Sequence, residues 1–150
     1  MIDLIEYKLN RATELEVLSF LLFCDEDFVP PLSTRVDLAV YAKKLTRHAI
    51  LYESWSGGDL IGLVAMYCNK ETNSAFISNV NVKQKFARYG IASELVRRSI
   101  EHASSSGMQQ VTLQVAISNL KAIKLYEKIG FDFFSESAST MNMSLLIERS

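Results

Sequence analysis

The residues best suited to chemistry lie in a connection from a predicted strand to a predicted helix, between Val82 and Ile91. A helix N-terminus presents unpaired N–H groups and a partial positive charge, which together bind anions such as phosphate. Gly90 has no Cβ and Ala92 has almost no side chain, so an anion can approach this backbone closely. From residue 83 to residue 98 the chain has five basic residues and one acid. This pattern predicts an anion-binding turn, although an ordinary solvated turn before a helix explains it equally well.

Composition excludes several classes of protein. The chain has 150 residues, of which 49% are hydrophobic, and this is typical of one globular domain spanning residues 1–150. A net charge of −1 gives no global attraction to nucleic acid or to an anionic membrane. No apolar run approaches the ~20 residues of a membrane-spanning helix, and the acidic start does not resemble a signal peptide, so we expect a cytoplasmic protein. Two cysteines and two histidines, none spaced as a ligand pair, predict no metal site.

The elements that position this turn are predicted from hydrophobic periodicity and from turn residues. The predicted helices span residues 13–23, 36–45, 91–103 and 120–129, the second being capped by Ser33 or Thr34 after a double proline. The predicted strands span residues 5–9, 48–55, 60–68, 75–82, 111–115, 131–134 and 141–147. This order predicts an α/β (α+β) fold with a mixed, mainly antiparallel sheet of about six to seven strands and helices on both faces.

The third central strand, residues 75–82, leads directly into the anion-binding turn. Strict alternation of side chains predicts that Phe76, Ser78, Val80 and Val82 share one face. The other face is then predicted to carry Ile77, Asn79 and Asn81.

A second segment, residues 113–131, reads as strand, polar loop, helix, glycine and strand. It contains the pattern N-x-x-A-x-x-x-Y-x-x-x-G-F as Asn119, Ala122, Tyr126, Gly130 and Phe131. The earlier turn matches the second half of [Q/R]-x-x-G-x-[G/A] through its Gly-Ile-Ala. With both motifs in this order, the chain resembles the GNAT N-acetyltransferase superfamily over about residues 75–134. It departs from the family at residue 87, where alanine stands in place of the usual Gln or Arg.

The resemblance implies an acetyl-CoA co-substrate, no metal, and a cleft between two splayed parallel strands that end at Val82 and Val115. The pantetheine arm is expected to pair with the backbone at Val80 and Val82 and to contact Asn119. The diphosphate is expected to lie over the backbone amides of the turn and the first helical residues, namely Arg88, Tyr89, Gly90, Ile91, Ala92 and Ser93.

The resemblance also implies a mechanism, in which the primary amine of a small molecule attacks the thioester directly in a ternary complex. The Val80 N–H is expected to polarise the carbonyl, and the Tyr126 phenol to donate a proton to the departing thiolate. The structural alternative for Tyr126 is an aromatic residue that only packs on the sheet. The acceptor pocket is expected to include Phe28, Asn79 and Tyr67. A wider set around it comprises Phe23, Val29, Pro31, Leu32, Ser33, Arg35 and Tyr41.

The general base is not evident, because residues 75–82 contain no carboxylate where many relatives place a glutamate. Candidates elsewhere are Glu53, Glu26 and His48, and a water that passes its proton outwards is a further alternative. A rival interpretation is a non-catalytic acyl-CoA-binding or regulatory module on the same fold; a third is a flavin- or nucleotide-binding α/β protein. The expected partner is a small-molecule amine, with no nucleic acid and no membrane, and exposed sheet edges would allow a homodimer.

Overall fold

The computed structural model describes residues 4–28 and 30–147. Its strands are β1 (Ile5–Leu9), β2 (Ile50–Ser56), β3 (Asp59–Asn69), β4 (Ser74–Val82), β5 (Gln110–Ala116), β6 (Asp132–Ser137) and β7 (Thr140–Leu146). Its α helices are α1 (Glu14–Cys24), α2 (Leu38–His48), α3 (Ile91–Ser105) and α4 (Leu120–Ile129). The strands form one sheet in the order β1-β2-β3-β4-β5-β7-β6, in which β4 and β5 are parallel and the other neighbours are antiparallel. The predicted mixed, mainly antiparallel sheet is confirmed.

Two hydrophobic cores lie on opposite faces of this sheet, so the predicted helices on both faces are also confirmed. Helices α1 and α2 cover one face, where Phe20 and Leu45 are fully buried. Helices α3 and α4 cover the other face with Leu95 and Tyr126. Strand β3 contributes alternate side chains to both cores, because successive residues of a strand point to opposite sides. The two cores are therefore joined through β3, the third of the seven strands in the sheet order.

The connection from α1 to α2 consists of two 3₁₀ turns, Asp25–Asp27 and Leu32–Thr34. The Asp25 carboxylate ties them together, because it accepts hydrogen bonds from the Ser33 N–H at 2.7 Å and the Ser33 hydroxyl at 2.6 Å. These two bonds lower the pKa of Asp25 below its ordinary value. The predicted cap of α2 was therefore wrong: Ser33 is engaged by Asp25, and Asp37 caps the helix by accepting from the Val40 N–H at 3.0 Å.

Strand β4 contains a β-bulge, which corrects the predicted distribution of its side chains. Ile77 is paired with Met66 and Asn79 with Ala65, so Ser78 is an extra residue between two consecutive pairs. The bulge reverses the alternation. Ile77, Val80 and Val82 all pack in the core beneath α3 and α4. Strict alternation had predicted Ile77 on the opposite face of the strand from Val80 and Val82. Asn79 points to the same side as the α1–α2 core, opposite Ala65.

Strands β4 and β5 pair over only part of their length. Their parallel register runs from Ser74 opposite Gln110 to Ile77 opposite Leu113, and past that point β4 and β5 are no longer paired with each other. β4 continues to Val82 while it remains paired with β3. The strands therefore diverge toward their carboxyl ends, as the predicted splayed cleft requires.

Helix α3 packs closely on the sheet at Gly62 of β3. A Cβ atom at this glycine would lie 2.4 Å from the Ser54 Oγ, 3.2 Å from the Ile91 Cγ2 and 3.3 Å from a Leu95 Cδ1. The missing side chain thus allows the first turns of α3 to rest against β3. In the part of the chain that the structure describes, no helix is both long and apolar enough to cross a bilayer. The same residues contain no cluster of three or more His, Cys, Asp or Glu that could bind a metal ion.

Candidate active site

A cavity of about 880 Å³ opens where β4 and β5 diverge. Its walls are the carboxyl-terminal halves of these two strands, the first turn of α3, the inner side of α4, and the α1–α2 connection. It therefore extends from one face of the sheet to the other, between the elements that carry the two sequence motifs.

The N-terminus of α3 forms one end of this cavity. Gly90 precedes the helix with φ +73°, a left-handed conformation that suits glycine, and no heavy atom lies within 4 Å of where its Cβ would be. Arg88 adopts the same region at φ +73°. The predicted phosphate-binding residues Arg88, Gly90, Ile91, Ala92 and Ser93 all line the cavity. Tyr89 does not line it, and its side chain is half exposed to solvent.

The predicted pantetheine contacts also line the cavity. Val80 and Val82 lie on its β4 wall. The Val82 N–H donates to the side-chain oxygen of Asn81 at 2.9 Å, and the Asn81 Nδ2 is buried without a hydrogen-bond partner. A ligand that pairs with Val82 would therefore compete with this local side-chain bond. On the opposite wall Asn119 caps α4 by accepting from the Ala122 N–H at 3.3 Å.

Tyr126 lies on the α4 wall of the cavity and is 6% exposed. Its ring packs edge-on against Phe131, with the ring centroids 5.9 Å apart. Burial raises the pKa of Tyr126 well above its ordinary value, because the phenolate would lose its hydration. The phenol is therefore protonated at neutral pH and has the form that a proton donor needs.

The predicted acceptor residues are only partly brought together. Phe28 and Asn79 line the cavity, whereas Tyr67 lies outside it, with its hydroxyl buried and unpartnered. Asn79 is 5% exposed and its Oδ1 also has no hydrogen-bond partner. From the wider set, Leu32 and Arg35 line the cavity. The structure places Phe23, Pro31, Ser33 and Tyr41 outside it, and Val29 lies outside the described residues.

None of the predicted general bases reaches the cavity. Glu53 is fully buried elsewhere, where its carboxylate accepts from the N–H groups of residues 11 and 12 and from the Trp55 indole at 3.0 Å. It therefore anchors the chain before α1. Glu26 and His48 are exposed and do not line the cavity.

Sequence reasoning missed Asp27, which is the one carboxylate among the described residues that line the cavity. Its Oδ1 lies 3.4 Å from the Gln84 Nε2, so it connects the end of the first 3₁₀ turn to the segment after β4. The available signal was its position, since it ends the acidic run 25–27 directly before Phe28. Three cationic side chains also line the cavity, those of Arg35, Arg88 and Lys121, which gives it a net positive charge suited to a phosphorylated ligand.

Comparisons with known proteins show what the chain is similar to. The sequence model of the Acetyltransferase (GNAT) family matches residues 15–131. The chain is 36% identical over 76 residues to N-alpha-acetyltransferase MAK3 of Arabidopsis thaliana, which is 49% of this chain and 40% of that protein. It is 34% identical over 74 residues to N-acetylaspartate synthetase of Rattus norvegicus, which is 49% of this chain and 25% of that protein. The chain thus spans less than half the length of these curated relatives.

A solved structure shares the whole fold. The acetyltransferase of Bacillus subtilis in complex with CoA superposes with a TM-score of 0.73 at 19% identity, covering 97% of this chain and 100% of that chain. At this level of identity the likeness concerns the fold.

Proposed function

Since the chain belongs to the Acetyltransferase (GNAT) family, we propose that it transfers the acetyl group of acetyl-CoA to a primary amine. The observation that carries this proposal is a cavity between β4 and β5 that has a helix N-terminus at one end and a protonated phenol on its wall. An anion site and a proton donor that share one cleft are what thioester aminolysis requires. The CoA complex of the fold relative from Bacillus subtilis supports the same co-substrate.

The residues available to hold acetyl-CoA fit its chemistry. Phosphate groups would be bound by the backbone amides at the start of α3 and by the Arg88 guanidinium. The pantetheine amides would pair with the β4 backbone at Val80 and Val82, as an added strand does. Asn119 retains its side-chain N–H groups for a pantetheine carbonyl, since its Oδ1 is already used in capping α4. The alanine at position 87 removes one side chain that usually assists, so the backbone amides would carry more of the binding.

The proposed reaction is a direct transfer. The amine nitrogen forms a bond to the thioester carbonyl carbon, the carbon–sulfur bond breaks, and coenzyme A leaves as the thiol. The Val80 N–H would stabilise negative charge on the carbonyl oxygen. Tyr126 would donate its phenolic proton to the departing sulfur and regain one from solvent or from the amine. The carboxylate of Asp27 is the described side chain in the cavity that can attract the amine as its ammonium ion, which must release a proton to solvent before the neutral amine attacks.

We propose a small-molecule amine as the acceptor. In support, the acceptor side of the cavity, which we define as the part lined by the α1–α2 connection, has apolar walls at Phe28 and Leu32, and the Asp25–Ser33 hydrogen bonds tie that connection together. One relative is named for a small product, N-acetylaspartate. Another is named for N-alpha-acetylation, which makes a protein α-amino group the competing acceptor class.

A second candidate function is a non-catalytic acyl-CoA-binding or regulatory module. Two observations favour it, the alanine at position 87 and the absence of any carboxylate from β4. Such a module would bind the thioester without turning it over.

One experiment separates these candidates. The purified chain is incubated with acetyl-CoA and a panel of primary amines, including short peptides with free N-termini, and free thiol is measured with a chromogenic reagent. We expect thiol release that depends on the amine, and calorimetry should detect acetyl-CoA binding. Binding with no thiol release above the amine-free control would contradict the enzymatic proposal and support the module. Release with peptides alone would contradict the small-molecule acceptor.

A further inference from the structure

Two side chains of opposite charge line the acceptor side of the cavity, Asp27 and Arg35. Among residues 4–28 and 30–147 the one ion pair joins Arg98 and Glu94 on the surface of α3. Asp27 and Arg35 therefore form no ion pair with another described residue. Among the described residues, the Asp27 side chain accepts a hydrogen bond only from the neutral amide of Gln84, at 3.4 Å. The nearby ammonium of Lys83 rests on the Phe23 ring, 4.4 Å from its centroid, and does not line the cavity.

The fold holds these two charges at the same opening. Asp27 lies two residues after Asp25, and Arg35 lies two residues after Ser33. Because the Asp25 carboxylate binds both the N–H and the hydroxyl of Ser33, the two halves of the connection are fixed to each other. Asp27 therefore lies within the loop that this contact closes and Arg35 lies just after it, and both exposed side chains line the same cavity.

A buried hydrogen-bond acceptor lies on the same side of the sheet. The Asn79 Oδ1 has no partner although its residue is 95% removed from solvent, as its 5% exposure shows. Buried carbonyl oxygens are almost always hydrogen-bonded, so a ligand that donates an N–H at this point would remove a cost. Asn79 follows the bulge in β4, where the strand turns this side chain toward the acceptor side.

We propose that the acceptor is a small amino acid, whose carboxylate is bound by Arg35 and whose amine is attracted by Asp27 and donates to the Asn79 Oδ1. A guanidinium matches a carboxylate with two parallel hydrogen bonds. A polyamine would satisfy Asp27 but would be repelled by Arg35, and a peptide N-terminus has no carboxylate beside its amine. The inference rests on the proposed acetyl transfer and specifies the chemistry of its acceptor.

The test compares matched acceptors. Each amino acid of a panel is assayed beside its α-carboxamide and a dipeptide that begins with the same residue, with thiol release as the readout. For the preferred residue we expect kcat/KM to be roughly 10-fold or more higher for the free acid, the effect of one charge-assisted contact. Arg35→Gln should reduce that ratio to near one through KM, and should leave the KM for acetyl-CoA unchanged. Arg47→Gln, an exposed arginine of α2 outside the cavity, is the matched control.

The role of Asp27 is tested in the same assay. Asp27→Asn should raise the KM for every amine by a similar factor while kcat changes less, and the neighbouring exposed Glu26→Gln should leave both constants unchanged. Carboxamides or dipeptides that react as well as the free acids would overturn the inference while the transferase proposal stands. An Arg35→Gln variant that keeps the acid preference, or that raises only the KM for acetyl-CoA, would overturn it as well. Absence of thiol release with every amine would instead contradict the transferase proposal.

Discussion

Tyr126 has two properties that a proton donor in this cleft needs. It lies on the cavity wall, and its phenol carries a proton at neutral pH, as an ordinary tyrosine does, with burial raising its pKa further. Its packing against Phe131 fixes the ring, so that the hydroxyl has a defined position relative to the α4 wall. The purely structural interpretation predicts that the ring matters and the hydroxyl does not. The two interpretations therefore differ in what happens when the oxygen alone is removed.

Removing that oxygen with Tyr126→Phe should lower kcat by roughly 100-fold, the usual contribution of a positioned acid. Affinity for acetyl-CoA should change by less than about 2-fold, because the ring and its packing remain. Steady-state kinetics and calorimetry measure the two quantities. Tyr52→Phe is a suitable control, because Tyr52 does not line the cavity. Its hydroxyl is hydrogen-bonded to the His102 Nδ1 at 3.0 Å. A Tyr126→Phe enzyme with normal turnover would remove the acid role from this residue.

The site residues differ in how far sequence could predict them. Gly90 precedes α3 and Asn119 caps α4, so the position of each follows from its neighbours in the chain. Local motifs were therefore sufficient to predict that both line the cavity. Asp27 and Glu53 could not be distinguished in this way. Both are acidic residues near predicted turns or strands, and only the folded chain shows that one lines the cavity and the other anchors the start of α1.

At the level of the elements, the position of α3 depends on one glycine in β3. Its missing Cβ lets α3 approach the sheet at Ile91 and Leu95, which sets the helix N-terminus at the end of the cavity. Hydrophobic periodicity predicted both α3 and β3, but it did not predict how closely the helix packs on the strand. A close approach between a helix and a strand is a property of two segments, and a single glycine within an apolar strand does not reveal its neighbour. The bulge in β4 escaped prediction for the same reason, since its register belongs to the pairing with β3.

Gly62→Ala should lower the free energy of unfolding by about 1–3 kcal/mol, the usual cost of overpacking a filled core. The new methyl group would meet the Ser54 Oγ first, and that hydroxyl is buried with no hydrogen-bond partner. Ser54→Ala alone should therefore be nearly neutral, and in the double variant it should recover at least about 0.5 kcal/mol of the loss. Urea denaturation of all four proteins measures this coupling. Strictly additive effects would contradict the proposed contact.

At the scale of the whole molecule, the candidate site is assembled from four separate stretches of chain. The α1–α2 connection, the end of β4 with the start of α3, the end of β5 with α4, and residues 139–140 at the start of β7 all reach the cavity, and the sheet order brings them together. The fold class was predictable because most elements have a recognisable period or are bounded by turn residues, and the order of elements restricts the topology. The cavity itself arises from the parallel pair that separates after Ile77 and Leu113, a tertiary feature that the sequence resemblance implied and periodicity alone did not.

The pH dependence of stability tests both halves of the molecule together. Burial raises the pKa of the Cys24 thiol from 9.0 to about 11, with a further contribution from Asp27 that the Lys83 charge opposes. Burial also raises the pKa of Tyr126 in the opposite core. Since both groups hold their protons more tightly when folded, the unfolded chain releases them first as the pH rises. The stability they contribute is complete below about pH 9 and is lost above it, first through Cys24 and then, above its ordinary value near pH 10, through Tyr126.

For Cys24 alone, a shift of this size corresponds to about 3 kcal/mol of unfolding free energy in total, and about 2 kcal/mol of this is lost between pH 9 and pH 11. Urea denaturation at intervals across that range should show the decline in the unmodified protein. In Cys24→Ala the decline should be smaller by about that amount, although the variant starts from a lower stability because it leaves a small cavity in the α1–α2 core. Tyr126→Phe should keep the Cys24 part of the decline and reduce the part above pH 10, to which the raised pKa values of Tyr7, Tyr52 and Tyr67 also contribute. A pH profile of Cys24→Ala that runs parallel to that of the unmodified protein would show that the buried thiol does not titrate with folding.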